Sequence, residues 1–219
     1  MSFSNYAGLK AAVAAWLNRD DLSDAIVDFI TAAEATLNRV LRVRQMVAQA
    51  MVSVAAGDDR GVLPDDCLDV QYAADANDAS VTLAERPAAW VAAQRRLRMA
   101  AAGTPLYFAI VGNELRLCPP SSAARTYDIS YFQEIPELSD AQPVNWLLAH
   151  HPDLYLHAAL MHAYPYLADD ERAASSAARV ATLVQGLTGA ADISQGYQAQ
   201  GYQAQGVQAQ GVQAQGGQA

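Results

Sequence analysis

Four histidines, His150, His151, His157 and His162, fall within thirteen positions and are the densest group here able to hold a metal or move a proton. A zinc site wants two of them on one helical face, three or four residues apart. His157 and His162 are five apart and diverge by more than a quarter turn, so polar tips packed at a subunit boundary are the simpler expectation. Asp169-Asp170-Glu171 offers paired carboxylates for acid–base work, yet helix capping accounts for all three and no convergent partner is apparent. Arg95, Arg96 and Arg98 could meet DNA or a partner's carboxylate, but they read more simply as an exposed helical face. Cys67 and Cys118 are far apart, outside any CxxC pattern, and read as free thiols of a reducing compartment. Phosphate-loop, GxGxxG, HExxH and GxSxG patterns are missing from the sequence. The expectation is a chain with no catalytic residues, no metal and no cofactor.

The elements that would carry these residues need a core, and the composition provides for one. Of the 219 residues 52% are hydrophobic and 17% charged, which excludes general disorder. No apolar run reaches ~18 residues, so no membrane partner is expected. The N-terminus lacks the basic and apolar stretches of an export signal, and the protein is expected to stay where it is made. A net charge of −9 argues against a protein that grips phosphates, because such binding needs clustered cations. Lys10 is the sole lysine beside thirteen arginines; interface preference or a GC-rich genome would each produce that skew.

Ser4 is the expected N-cap of a first helix through Leu9, Val13, Trp16 and Leu17. Ser23 opens a second, with Ile26, Phe29, Ile30, Ala33, Leu37, Val40 and Leu41 on one stripe and Arg39, Arg42 and Arg44 at its end. Strands are expected within Met46–Val54, Cys67–Tyr72 and Ser80–Leu83. Pro87 suits the first turn of a helix carrying Trp90, Val91 and Leu97. A hairpin should turn at Gly112-Asn113, and Thr126–Phe132 should add a further strand. The centre thus reads as a small, mostly antiparallel β unit holding one helix. Helix returns after Pro143 with Asn145 as cap, restarts at Pro152, stops at Pro165, and begins a last time after Asp169.

Two segments point beyond the single chain. Leu154–Ala168 has no charged residue apart from its histidines, and its apolar side chains face every direction, so it must be covered all round. Either a central core position or a neighbouring subunit would do this; Leu154, Tyr155, Leu156, Leu160, Met161 and Tyr164 are the candidate subunit-interface residues. From Gln195 the chain is five copies of Gln-Gly-X-Gln-Ala without any charge. Glycine at every fifth position opposes helix, and an odd period sends X to alternating faces of a strand. Extended at ~3.3 Å per residue, the arm would reach roughly 80 Å. Alone it should be disordered. Tyr197, Gln198, Tyr202, Gln203, Val207 and Val212 are the candidate residues by which another chain would hold it.

Ser4-Asn5-Tyr6-Ala7-Gly8-Leu9-Lys10, then Val13 to Leu22, Ile26, Phe29-Ile30 and Ala33-Glu34, resembles the start of head-to-tail adaptors of podovirus-type tailed bacteriophages. Asn145-Trp146-Leu147-Leu148, Pro152 to Leu156, Ala159-Leu160 and Tyr166 to Arg172 resemble that family's C-terminal helices. Tyr131-Phe132 and Ile135-Pro136-Glu137-Leu138-Ser139 resemble its link between strand and helix. The resemblance spans roughly residues 4–187, in matching order and spacing.

The resemblance implies an α+β, mainly α fold: a helical bundle from N- and C-terminal segments (1–44 and 136–190) and a small antiparallel β-rich insertion with one helix (45–135); the repeats beyond the bundle depart from the family and read, from the sequence, as an extended C-terminal arm (191–219). It implies a structural virion protein without enzymatic activity, a ring, usually of twelve copies, joining portal protein to tail nozzle or tail tube. Double-stranded DNA would pass through the ring without specific binding. The place implied is the neck of the virion, reached by assembly in the host cytoplasm. A capsid- or tail-decorating protein whose repeats wrap a partner is the alternative, with a histidine-based metallohydrolase third.

Overall fold

The structure, a computed structural model, describes residues 3–97 and 101–189. The chain divides into two compact units, one formed by Met1–Arg44 with Pro136–Ala219 and the other by Gln45–Ile135.

In the first unit, α1 spans Tyr6–Leu17, α2 Ser23–Val40, α4 Trp146–His150 and α5 Pro152–Tyr166. A last helix, α6, covers residues 170–189. Asn5 rather than Ser4 caps α1, its side chain accepting from the Gly8 N–H at 2.8 Å. Asn145 caps α4 in the same way, through the Leu148 N–H at 2.9 Å. Arg42 closes the far end of α2 by donating to the Asn38 and Leu41 carbonyls at 2.8 and 2.6 Å. These are carbonyls that the helix itself leaves without partners. Pro165 lies inside the last turn of α5, and the helix continues to Tyr166 before Leu167 caps it. Proline deletes one N–H but tolerates a turn that is about to end. Leu9 and Val13 of α1, Ile30, Ala33 and Leu37 of α2, and Leu154, Ala158 and Ala159 of α5 form the core, each at most 1% exposed.

The second unit holds two four-stranded sheets. The strands are β1 Val47–Val54, β2 Arg60–Val62, β3 Cys67–Asp75, β4 Asp78–Thr82, β5 Ala84–Glu85, β6 Tyr107–Val111, β7 Glu114–Cys118 and β8 Arg125–Gln133. One sheet runs β1-β8-β3-β4, the other β2-β7-β6-β5. All pairings are antiparallel except β5 with β6. The period of two along a strand sends Val52, Val54, Tyr127, Ile129 and Tyr131 to one face, where they meet Phe108, Leu115 and Leu117 of the other sheet. Alternate residues Tyr107 and Ala109 face α3, Ala88–Leu97, which contributes Trp90 and Val91.

The β part therefore is no small insertion. The protein is 46% helix and 25% strand, with two four-stranded sheets and six helices among the described residues. It is an α+β fold, which corrects the expectation of a mainly helical bundle with a small β insertion. Two strands gave no alternating signal: Arg60-Gly61-Val62 is too short, and Ala84-Glu85 pairs for only two residues. With them the central unit closes a second sheet and encloses a core of its own.

Gly61 shows how tightly that core is set. A Cβ there would stand 2.3 Å from Val52 Cγ1 and 3.2 Å from Val54 Cγ2. Valine is stiff at χ1 and Val52 is buried, so neither can swing aside. Gly61→Ala is expected to cost about 2 kcal/mol through overpacking, read as a lower urea midpoint at unchanged slope.

Candidate functional site

Three places hold the side chains able to do chemistry. The first is a buried polar knot in the helical unit. Glu34 lies on the apolar stripe of α2, between Ile30 and Leu37, and is 4% exposed. Its Oε1 accepts from the Leu138 N–H at 2.9 Å and from the Tyr155 hydroxyl at 2.8 Å. Asn145 Nδ2 donates to the Tyr155 oxygen at 2.8 Å and to the Pro136 carbonyl at 2.7 Å. Burial pushes the Glu34 carboxyl above its usual range, against the lowering effect of the Leu138 and Tyr155 donors. Burial and the neighbouring Glu34 hold the Tyr155 hydroxyl far above the ordinary tyrosine range. The knot pins the segment 136–145 to α2 and α5. Tyr155 keeps its proton at neutral pH, and the Glu34 carboxyl is spent on two protein donors, so the knot is structural.

The second place is in the sheet unit. Asp59, with a side chain 6% exposed, has Arg95 Nη1 at 2.6 Å, Arg116 Nη1 at 3.5 Å and Arg60 Nε at 3.9 Å. Arg116 also reaches Glu114 at 2.9 Å. Arg95 is thus half-buried on an ion pair, not free on a helical face; Arg96 is exposed, and Arg98 lies outside the described residues. A similar pair joins Arg125 to Asp75.

The third place is a cleft of about 540 Å³ between α1, α5 and α6, lined by Trp16, His157, Tyr164, Arg172, Ser175, Ser176 and Arg179. The Trp16 ring meets His157 edge-on at 5.6 Å. Burial, with Arg179 nearby, pulls the His157 imidazole below its ordinary value, against the opposing pull of Asp153. At neutral pH it is a neutral ring.

The histidines do not converge. His162 sits 3.1 Å from the Thr36 hydroxyl, and the exposed His150 is 6.5 Å, ring to ring, from His151. Among the described residues no group of three or more His, Cys, Asp or Glu side chains is placed to hold a metal ion. Asp169 caps α6, its side chain accepting from the Arg172 N–H at 3.1 Å.

Of the residues picked out on α5, Leu154, Tyr155, Leu156, Leu160 and Tyr164 are 0–5% exposed within the single chain. Helices α1, α2 and α4 pack around them, and Tyr164 also lines the cleft. Met161 is half-buried. Within the single chain the helix that is apolar all round is a core helix. The arm residues Tyr197, Gln198, Tyr202, Gln203, Val207 and Val212 lie outside the described residues. Sequence reasoning missed Glu34 and Asp59. The signal for Glu34 was a carboxylate inside the most regular apolar stripe of the chain, which demands a buried partner; Asp59 was hidden in a turn.

The chemistry on view among the described residues is that of side chains satisfying one another. Residues 4–209 match the SU10 adaptor protein family, and the chain belongs to that family. No curated protein matches it.

Proposed function

We propose that this chain is a structural protein of a tailed bacteriophage, of the podovirus type, whose copies close into an adaptor ring between the portal protein and the tail nozzle or tube. The observation that carries this reading is membership of an adaptor family across residues 4–209. On this reading the protein is assembled in the host cytoplasm, and its place is the neck of the virion. Twelve copies is the ring size that the resemblance suggests. A net charge of −9 suits the wall of a DNA channel, because phosphates are repelled and slide past.

The neutral repeats of residues 195–219 supply a docking arm for the portal. Several weak contacts on one chain add through effective concentration, and a long arm keeps hold while the joint shifts under pressure. Truncation before Gln195 should leave the body folded by circular dichroism and weaken capture by portal-bearing heads by roughly tenfold or more. Unchanged capture would remove the arm from the account. Symmetry averages of electron micrographs test the ring itself: a closed assembly with an axial hole is expected, and copies scattered over capsid or tail would point to the decorating role.

A further inference from the structure

We infer that the cleft between α1, α5 and α6 is the seat in which a second copy of this chain docks the acidic face of its α2. The inference rests on the ring reading and supplies a contact between neighbours.

The cleft has the residue types that dominate protein–protein hot spots, an open tryptophan and arginines beside a tyrosine. Trp16 is 45% exposed, an unusual position for so large an apolar ring. Arg172 lies 5.9 Å from the centre of the Tyr164 ring and is itself 67% exposed, tied only loosely to Asp169 at 3.4 Å. Arg179 is exposed, and among the described residues no carboxylate pairs with it. No acidic side chain lines the cleft. With His157 neutral, the cleft offers two cations and an aromatic wall, on a chain whose net charge is −9. Its complement is an acidic surface with an apolar centre.

That complement stands on the same helical unit. Asp24, Val27 and Asp28 of α2 are exposed, with Val27 37% so. Residues four apart share one helical face, so the two carboxylates stand together, with the part-exposed Val27 beside them. Asp20, just before α2, extends the acidic run, whereas Asp21 is engaged by Arg19 at 2.6 Å. Helix α2 contributes no residue to the cleft. Arg172 and Arg179 are about 10 Å apart along α6 and Asp24 and Asp28 about 6 Å apart along α2, a difference within the reach of arginine side chains. One copy thus carries both halves of the contact on different elements. A head-to-tail contact of this kind repeats from copy to copy and closes when the rotation allows.

The test is charge reversal and rescue in the full-length chain, with self-association followed by sedimentation velocity from micromolar to millimolar concentration. R172E/R179E should weaken association roughly tenfold or more, and D24R/D28R should do the same. The four changes together should return it to within about threefold of the wild type. All four sites are exposed, and circular dichroism should show an unchanged fold. A wild type that stays monomeric throughout overturns the seat, as does an R172E/R179E protein that associates normally. So does a fourfold variant as weak as its parents, which would mean that each patch serves some other partner. Micrographs separate this inference from the reading beneath it. Closed rings formed by R172E/R179E would sink the seat and leave the ring standing; successful rescue in assemblies that never close would do the reverse.

Discussion

Glu34→Ala is expected to lower the unfolding free energy of the helical unit by about 3 kcal/mol, because two buried donors lose their acceptor at once. The Leu138 N–H and the Tyr155 hydroxyl both point at Glu34 Oε1, and an unsatisfied buried donor costs roughly 1–3 kcal/mol. Tyr155 keeps one contact, since Asn145 still donates to its oxygen. Removing a partly desolvated carboxylate gives a little back. Glu34→Gln separates these effects: its amide oxygen serves both donors and carries no charge, so it should stay within about 1 kcal/mol of the wild type. In hydrogen exchange, the Leu138 amide should lose protection in the alanine variant and keep it in the glutamine variant.

The same pair of proteins carries a pH dependence of definite sign. The folded Glu34 carboxyl is raised above its ordinary value, chiefly by burial. Between the ordinary and the raised value the folded form holds a proton that the unfolded form has lost. Its contribution is therefore complete below the ordinary carboxyl range and is lost as pH rises through the folded value. His157 and His162 act oppositely. Their folded values are depressed, mainly by burial, and stability drains as pH falls below the ordinary histidine range. Both histidines remain in Glu34→Gln, so subtracting its stability curve from that of the wild type isolates the carboxyl. The wild type should gain relative to Glu34→Gln as pH drops from 7 towards 4.5. A flat difference would mean that Glu34 is not desolvated as the fold requires.

Much of this molecule was legible where one strong local rule acts alone. Asn145 caps α4, Asp169 caps α6 and Gly112 takes φ +61° in its hairpin, each a choice made within four residues. The stripe Ile26, Phe29, Ile30, Ala33, Leu37 is likewise buried. What failed was long-range. The pairing of β2 with β7, or of β5 with β6, is made by hydrogen bonds between segments too short to show a period of their own. The uniform apolarity of α5 announced that something covers it but not what. A core position and a subunit boundary ask for the same side chains, and the packing of α1, α2 and α4 against it, which shows the first, is not written in the helix itself. Arg95 failed for a related reason. Its helix position reads as exposed, and the carboxylate that draws it in is 36 residues away in sequence, at Asp59.

Asp59 shows what such a distant contact is worth. Asp59→Ala is expected to destabilise the sheet unit by about 2–3 kcal/mol. Breaking a fully buried pair from one side costs 3–5 kcal/mol, because the remaining charge is left without compensation. Here the cations are only partly buried, with the Arg95 side chain 35% and the Arg116 side chain 22% exposed. Both can recover some hydration, and Arg116 retains Glu114 at 2.9 Å, which lowers the figure. Asp59→Asn should fall between, at about 1–2 kcal/mol, since the amide keeps the volume and a dipole towards the cations but no longer neutralises them. The Arg95→Ala change removes the nearest cation and leaves Arg116 and Arg60 beside Asp59, so it should cost less than Asp59→Ala. Combining Asp59→Ala with Arg95→Ala should then recover part of the loss, because the most poorly compensated guanidinium goes with its partner. A double-mutant cycle on urea midpoints measures that coupling directly. Strict additivity would mean that α3 is held to its sheet by Trp90 and Val91 packing alone, and that the 2.6 Å pair is incidental.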